Sequence, residues 1–240
     1  MKTLKSQNKS FSQEIYTWYS LFGRNNLPWR KNISPYRVWI SEIMLQQTQV
    51  KTVIPFFNKF IKKYPTLKSI ASASEDDILA LWTGLGFYRR AKNIYKTKEI
   101  IKNDFKNRFP KNFDLLILLP GIGRSTAGAI MSIAYQESYP ILDANVKRVI
   151  SRYKKIDLNG KDCTKQLWLT SEELTPEVNI FEYTQGIMDL GATVCTSKSQ
   201  DCMRCPVNKN CKSAYENINT RPKVKTVSYT HLRAHETLAN

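Results

Sequence analysis

Four cysteines stand close together near the end of this chain, Cys195, Cys202, Cys205 and Cys211, spaced C-x6-C-x2-C-x5-C. The only other cysteine, Cys163, lies well upstream. Such a cluster constrains the fold more than any hydrophobic pattern, because the late chain must wrap around whatever the thiols hold. In a reducing compartment that is a metal centre rather than a pair of disulfides. Four cysteines can hold zinc or a [4Fe–4S] cluster. Structural zinc sites usually pair two short hooks, and only Cys202–Cys205 is such a hook here, so the spacing favours iron–sulfur. Lys198, Arg204, Lys209 and Lys212 lie within or beside the same loop. A metal-stapled loop studded with cations suits a phosphate backbone.

The whole chain points to the same kind of partner. Lys and Arg outnumber Asp and Glu by 37 to 20, a net charge of +17. That excess favours a polyanion, most simply nucleic acid, over the plainer reading of a merely soluble basic protein. With 240 residues, 42% of them hydrophobic, the chain can build one large domain or two modest ones. Residues 1–11 lack the apolar core of a secretory signal. No stretch approaches the roughly 20 apolar residues of a membrane span. The expectation is a cytoplasmic, nucleoid-associated protein with no membrane partner.

The hydrophobic period is helical almost throughout. Ala127, Ile130, Met131 and Ala134 fall at i, i+3, i+4 and i+7, as do Val146, Val149, Ile150 and Tyr153. These spacings predict helices over 125–134 and 145–153. Others are expected over 12–22, 36–45, 50–64, 75–82, 89–102, 165–174 and 181–190. Turns fall at Pro28, Pro65, Gly84–Gly86, Pro110 and Pro120–Gly123. No alternating strand pattern of convincing length occurs, so the fold class is all-α.

Three places carry chemistry besides the cysteines. Glu42 sits in a segment, 38–45, that is apolar nearly all round a helical wheel. Burial there raises a carboxyl pKa and makes a general acid near neutrality; pairing with an Arg, or with Gln46 one turn away, is the structural alternative. Leu119-Pro120-Gly121-Ile122-Gly123-Arg124-Ser125 ends an apolar run in a Gly turn and starts a new helix at once. It reads either as a simple turn or as a helix-hairpin-helix whose free amides bind a DNA phosphate. Asp143 stands at a helix start and could be only an N-cap. Paired with a buried Glu, however, it suits cleavage of a glycosidic bond: one carboxyl protonates the leaving group, the other faces an oxocarbenium-like centre.

Together these features resemble the endonuclease III superfamily of DNA glycosylases, and within it the A/G-specific adenine glycosylases of the MutY type. The resemblance is carried by 27–30 (LPWR), 39–49 (WISEIMLQQTQ), 81–88 (LWTGLGFY), 119–128, 141–149, 188–192 (MDLGA) and the four cysteines. It runs from about Phe11 to Ala214. It implies two helical domains flanking a DNA-binding cleft: a six-helix domain over 23–136 with the hairpin, and an iron–sulfur domain joining 1–22 to 137–217. It implies a monomeric monofunctional glycosylase of base-excision repair, acting on adenine opposite 8-oxoguanine or guanine in double-stranded DNA and holding one [4Fe–4S] cluster on Cys195, Cys202, Cys205 and Cys211.

Roles follow where residues match. Glu42 would protonate N7 of the flipped adenine, Asp143 would stabilise the cationic sugar, and Asn145 would orient the site. Arg30 would contact the adenine, and Gln47 and Phe87 would probe the opened duplex. Gly121, Gly123 and Ser125 would meet the DNA at the hairpin. Ser125 stands where bifunctional members carry a Schiff-base lysine, and a hydroxyl cannot form an imine; Lys147, one helical turn from Asp143, could still form an adduct. Phe87 replaces the usual Tyr, with mild loss of discrimination expected. Family members typically continue into a Nudix-like domain that recognises 8-oxoguanine, whereas here the likeness fades after about Ala214. Adenine excision is therefore a stronger expectation than 8-oxoguanine recognition. Residues 218–240 read as a disordered or foreign tail. The rival readings are a bifunctional glycosylase/lyase acting on oxidised pyrimidines and a catalytically inactive DNA-binding module.

Overall fold

The computed structural model describes residues 2–216, with side chains from Phe11 onward; the tail expected over 218–240 lies outside them. Among the described residues the chain is all-α, with eleven α-helices and no strand beyond an isolated bridge between Cys195 and Gln200. No described helix is long and apolar enough to cross a membrane.

Helix α1 spans Lys2–Phe22, and a 3-10 turn at Pro28–Arg30 leads to α2 over Pro35–Leu45. Pro35 begins α2 where its missing N–H costs nothing, and the Ser34 hydroxyl accepts from the Arg37 amide. Helices α3 (Val50–Lys63), α4 (Leu67–Ile70), α5 (Glu75–Trp82) and α6 (Arg89–Asp104) follow. A reciprocal Ser74–Asp77 capping box fixes the start of α5. Helix α7 (Phe113–Ile117) and α8 (Arg124–Ala129) flank the glycine turn, and α8 widens into a π-helical turn over Ile130–Ala134. Helices α9 (Ala144–Lys154), α10 (Cys163–Leu174) and α11 (Ile180–Thr193) complete the set.

The long predicted helices are all present. Helices α4 and α7 were not expected; each is a turn or so long, too short to show a period. The second half of the predicted helix 125–134 is π rather than α, a difference that apolar spacing does not encode.

Helix α2 is the buried centre, with Trp39, Ile40, Ile43 and Met44 essentially inaccessible. It packs on α3, on α8 and on the π turn. Helix α11 packs on α1, α9 and the same π turn. One glycine makes the close approach possible: a Cβ on Gly128 would stand 2.3 Å from the Pro140 carbonyl oxygen. That contact lays the segment leading to Asp143 against α8.

Candidate functional site

Between α2 on one side and α9 and α11 on the other lies a cleft of about 900 Å³. Arg30, Glu42, Gln47, Ser125, Asp143 and Asn145 line it. Four expected site residues, Phe87, Gly121, Gly123 and Lys147, lie outside this lining.

Glu42 is deep among protein atoms yet keeps part of its surface open to the cleft. Burial first, and then the Asp143 carboxylate, push its pKa up to about 8, against the opposing charge of Arg30. Gln46 does not satisfy it: its amide nitrogen points to the Gly121 carbonyl, 3.5 Å away.

Asp143 is indeed the N-cap of α9, accepting from the Val146 amide at 2.7 Å, while Asn145 Nδ2 donates to its other oxygen at 3.2 Å. Burial raises its pKa, and these two bonds together with Arg148 oppose the rise without cancelling it. Capping uses the carboxylate without hiding it, so the plain and the chemical readings of Asp143 coexist. Arg148 steadies the group from below. Its guanidinium donates to Asn145 Oδ1 at 2.8 Å and to the main-chain oxygens of Gly191 and Cys195 at 2.5 and 2.7 Å. Ser125 acts on the same segment: its Oγ accepts from the Leu142 amide at 3.0 Å.

Arg30 stands in the cleft wall with both terminal nitrogens on Asp189, at 2.7 and 2.9 Å. Gln47 and Phe87 both adopt left-handed backbone angles, φ 57° and 51°. They line a second cavity of about 410 Å³ beside Arg90, whose guanidinium carbon stands 5.0 Å from the centre of the exposed Phe87 ring. Gly121 has φ 80°, with Asn93 where a Cβ would be, and nothing lies within 4 Å of a Cβ on Gly123. The start of α8 has no side-chain cap, so its first amides are open to an acceptor. Lys147 lies on the first turn of α9.

Two polar residues of α11 have no role legible in the sequence. Gln185 is buried, lines the cleft and has no hydrogen-bond partner among the described residues. Asp189 is one turn further along. The available signal was a polar pair at i, i+4 on a helix otherwise buried and apolar.

All four clustered cysteines are unbridged and line one cavity, together with Arg152 and Ser213, while Cys163 lies elsewhere, on α10. Arg152 donates to Cys195 Sγ at 3.2 Å and the Tyr215 amide to Cys202 Sγ at 3.3 Å. Backbone amides of Val207 and Ser213 favour the thiolates of Cys205 and Cys211. Burial nonetheless pushes the Cys205 thiol up to about 12, the other three cysteines adding to it. Among the described residues no group of three or more His, Cys, Asp or Glu side chains is gathered so as to hold a single metal ion. The cysteines surround a space rather than converge on a point.

Residues 40–173 match the model of the HhH-GPD superfamily of base excision DNA repair proteins. The chain is 51% identical over 211 residues to an adenine DNA glycosylase of Buchnera aphidicola from Schizaphis graminum, covering 87% of this chain and 60% of that protein. It is 49% identical over 222 residues to the adenine DNA glycosylase of the Acyrthosiphon pisum strain, covering 92% and 63%. The chain thus spans about 60% of the length of these relatives. A solved structure described as a thermostable thymine-DNA glycosylase superposes with a TM-score of 0.76 at 29% identity, covering 87% of this chain and 97% of that one.

Proposed function

The chain belongs to the HhH-GPD superfamily of base excision DNA repair proteins, and on that premise we propose that it is a monofunctional adenine DNA glycosylase. It hydrolyses the N-glycosidic bond of adenine mispaired with 8-oxoguanine or guanine in double-stranded DNA, as a monomer, in the cytoplasm at the nucleoid. One observation carries this reading: Glu42, held protonated up to about pH 8, shares a cleft with the carboxyl of Asp143.

We read the chain as two lobes, 23–136 and 1–22 with 137–217, taking DNA between them. Open amides at the start of α8 bind a phosphate. Phe87 and Gln47 enter the duplex from the side of the opposite base. Extruding an adenine costs a few kcal/mol, less when it is mispaired. In the cleft, Glu42 gives its proton to N7, so adenine leaves as a neutral base. The Asp143 carboxylate, oriented by Asn145, Arg148 and the α9 amides, stabilises the cationic sugar. The unpartnered amide of Gln185 is available to the edge of the flipped base, with Arg30 beside it. Ser125 leaves no amine to attack the sugar, so the strand stays intact.

The cysteine cavity fits a [4Fe–4S] cluster by three features: four thiols as the donor set, a hydrogen-bond donor on each sulfur, and an orphaned buried hydroxyl, that of Ser213. Their spread around a space favours a polynuclear group over a single ion. Cys195, Cys202, Cys205 and Cys211 would hold it. Its contribution is to staple the loop 195–211 into shape.

The test is single-turnover excision on A:8-oxoguanine, A:G and A:T duplexes, with and without alkaline cleavage of the product. The expected result is adenine release from the first two, no strand break before alkali, and no release by E42Q despite retained binding. Breakage at the rate of release would instead favour the glycosylase/lyase reading. No release by the parent chain would favour the inactive module.

A further inference from the structure

Ser213 is 1% exposed, lies two residues beyond Cys211, and lines the cavity shared by the four cysteines. Among the described residues its hydroxyl has no hydrogen-bond partner. Buried serines elsewhere in the fold do not behave this way. The hydroxyls of Ser41, Ser132, Ser151 and Ser171 each donate to a main-chain carbonyl, at 2.9, 2.7, 3.0 and 2.8 Å. Leaving such a donor unmade is costly, and burying a methyl in its place would not be. A serine with no carbonyl to reach, facing a cavity whose other wall is sulfur, is built for an acceptor that sits in the cavity.

Each thiol already has a donor of its own: Arg152 for Cys195, the Tyr215 amide for Cys202, and backbone amides of Val207 and Ser213 for Cys205 and Cys211. The Ser213 hydroxyl is surplus to that set. We propose that Ser213 donates a hydrogen bond to a sulfur of the bound cluster and thereby sets its reduction potential. This rests on the reading that the four cysteines hold a [4Fe–4S] cluster. The reduced cluster carries more negative charge than the oxidised one, so an O–H···S bond stabilises it more and raises the potential. The main-chain donors are fixed by the fold; Ser213 is a donor that a single side-chain change removes.

The test uses the whole chain purified without oxygen, with S213A and the isosteric pair S213T and S213V, which differ by a hydroxyl against a methyl. Iron content and the broad visible band come first, then spectroelectrochemical titration. All four proteins should show the same band. Poised at the midpoint of the parent, S213A and S213V should have reduced-to-oxidised ratios lower by about threefold, equivalent to about 28 mV for one electron, while S213T should stay near the parent. Coincident midpoints for parent, S213A and S213V, at equal iron, would overturn the role of Ser213 and leave the cluster reading intact. A parent chain without iron or a visible band would overturn the cluster reading, and the role of Ser213 with it.

Discussion

Arg30 places both terminal guanidinium nitrogens on Asp189, at 2.7 and 2.9 Å, joining the segment before α2 to the middle of α11. Arg24 binds the same carboxylate through its side chain, at 2.6 and 2.8 Å, and through its amide at 2.9 Å. Burial alone would raise the pKa of Asp189; the two guanidiniums outweigh it and hold the carboxyl below its ordinary value. Breaking a buried pair by removing one partner leaves the other charge stranded, at a cost of about 3–5 kcal/mol. D189N should lose about that much stability in urea unfolding. It should also release the charge of Arg30 toward Glu42, whose acidity Arg30 already increases. The basic limb of the excision rate should then move to lower pH, a shift that global destabilisation does not produce.

Glu42 makes a prediction of its own about pH. As a proton donor with a pKa of about 8, it should set the basic limb of the single-turnover rate, which falls roughly tenfold per unit above that pH. Stability runs with the same sign. A carboxyl whose folded pKa is raised stabilises the fold fully below its unfolded value of 4.5. That contribution is lost as pH rises through 4.5 to about 8. E42Q, which stays neutral, should therefore equal the parent near pH 4 and melt higher than it at pH 8, by roughly 4 °C or more. Equal melting temperatures at both pH values would mean that Glu42 is not held against its ionisation.

Much of this was legible in the sequence, and the limits are physical. Helix α5 could be read residue for residue because Ser74 and Asp77 cap it and three apolar residues mark its face. Helix α7 could not, since five residues hold no period. The buried position of Glu42 follows from the apolar wheel around it, and its pairing with Asp143 from the chemistry of two carboxyls; only their facing each other across one cleft needs the family resemblance. The task of Asp189, within 188–192, is not legible there, because its meaning lies in an arginine 159 residues away. Gln185 is not legible as a site residue, because a polar side chain on an apolar helix is ordinary until a cleft is seen in front of it.

Arg90 is the support of the Phe87 turn. One nitrogen donates to the carbonyls of Ile43, Met44 and Gln46, at 3.2, 2.7 and 2.5 Å, and another to Gly86 at 3.1 Å. The guanidinium also faces the rings of Trp82 and Phe87. R90M should strand the last carbonyls of α2 and unfold at lower urea with an unchanged slope, a loss of about 2 kcal/mol. R90K should not restore it, because a single ammonium cannot span both ends of this set. Recovery of parental stability by R90K would show that charge alone matters there.

Ser125 joins the start of α8 to the segment carrying Asp143, and its replacement separates two effects. S125A should leave the Leu142 amide without its acceptor, lowering stability by about 1 kcal/mol and slowing excision through a looser Asp143. S125K carries the same loss and adds an amine on the cleft wall, since residue 125 lines the cleft with Asp143. In its neutral form a lysine there can attack the sugar carbon as the base departs and form an imine. Borohydride should trap a covalent protein–DNA adduct with S125K on an A:8-oxoguanine duplex and none with S125A. The parent should give at most a trace through Lys147, abolished in K147A. Equal trapping by S125K and the parent would show that position 125 does not face the sugar.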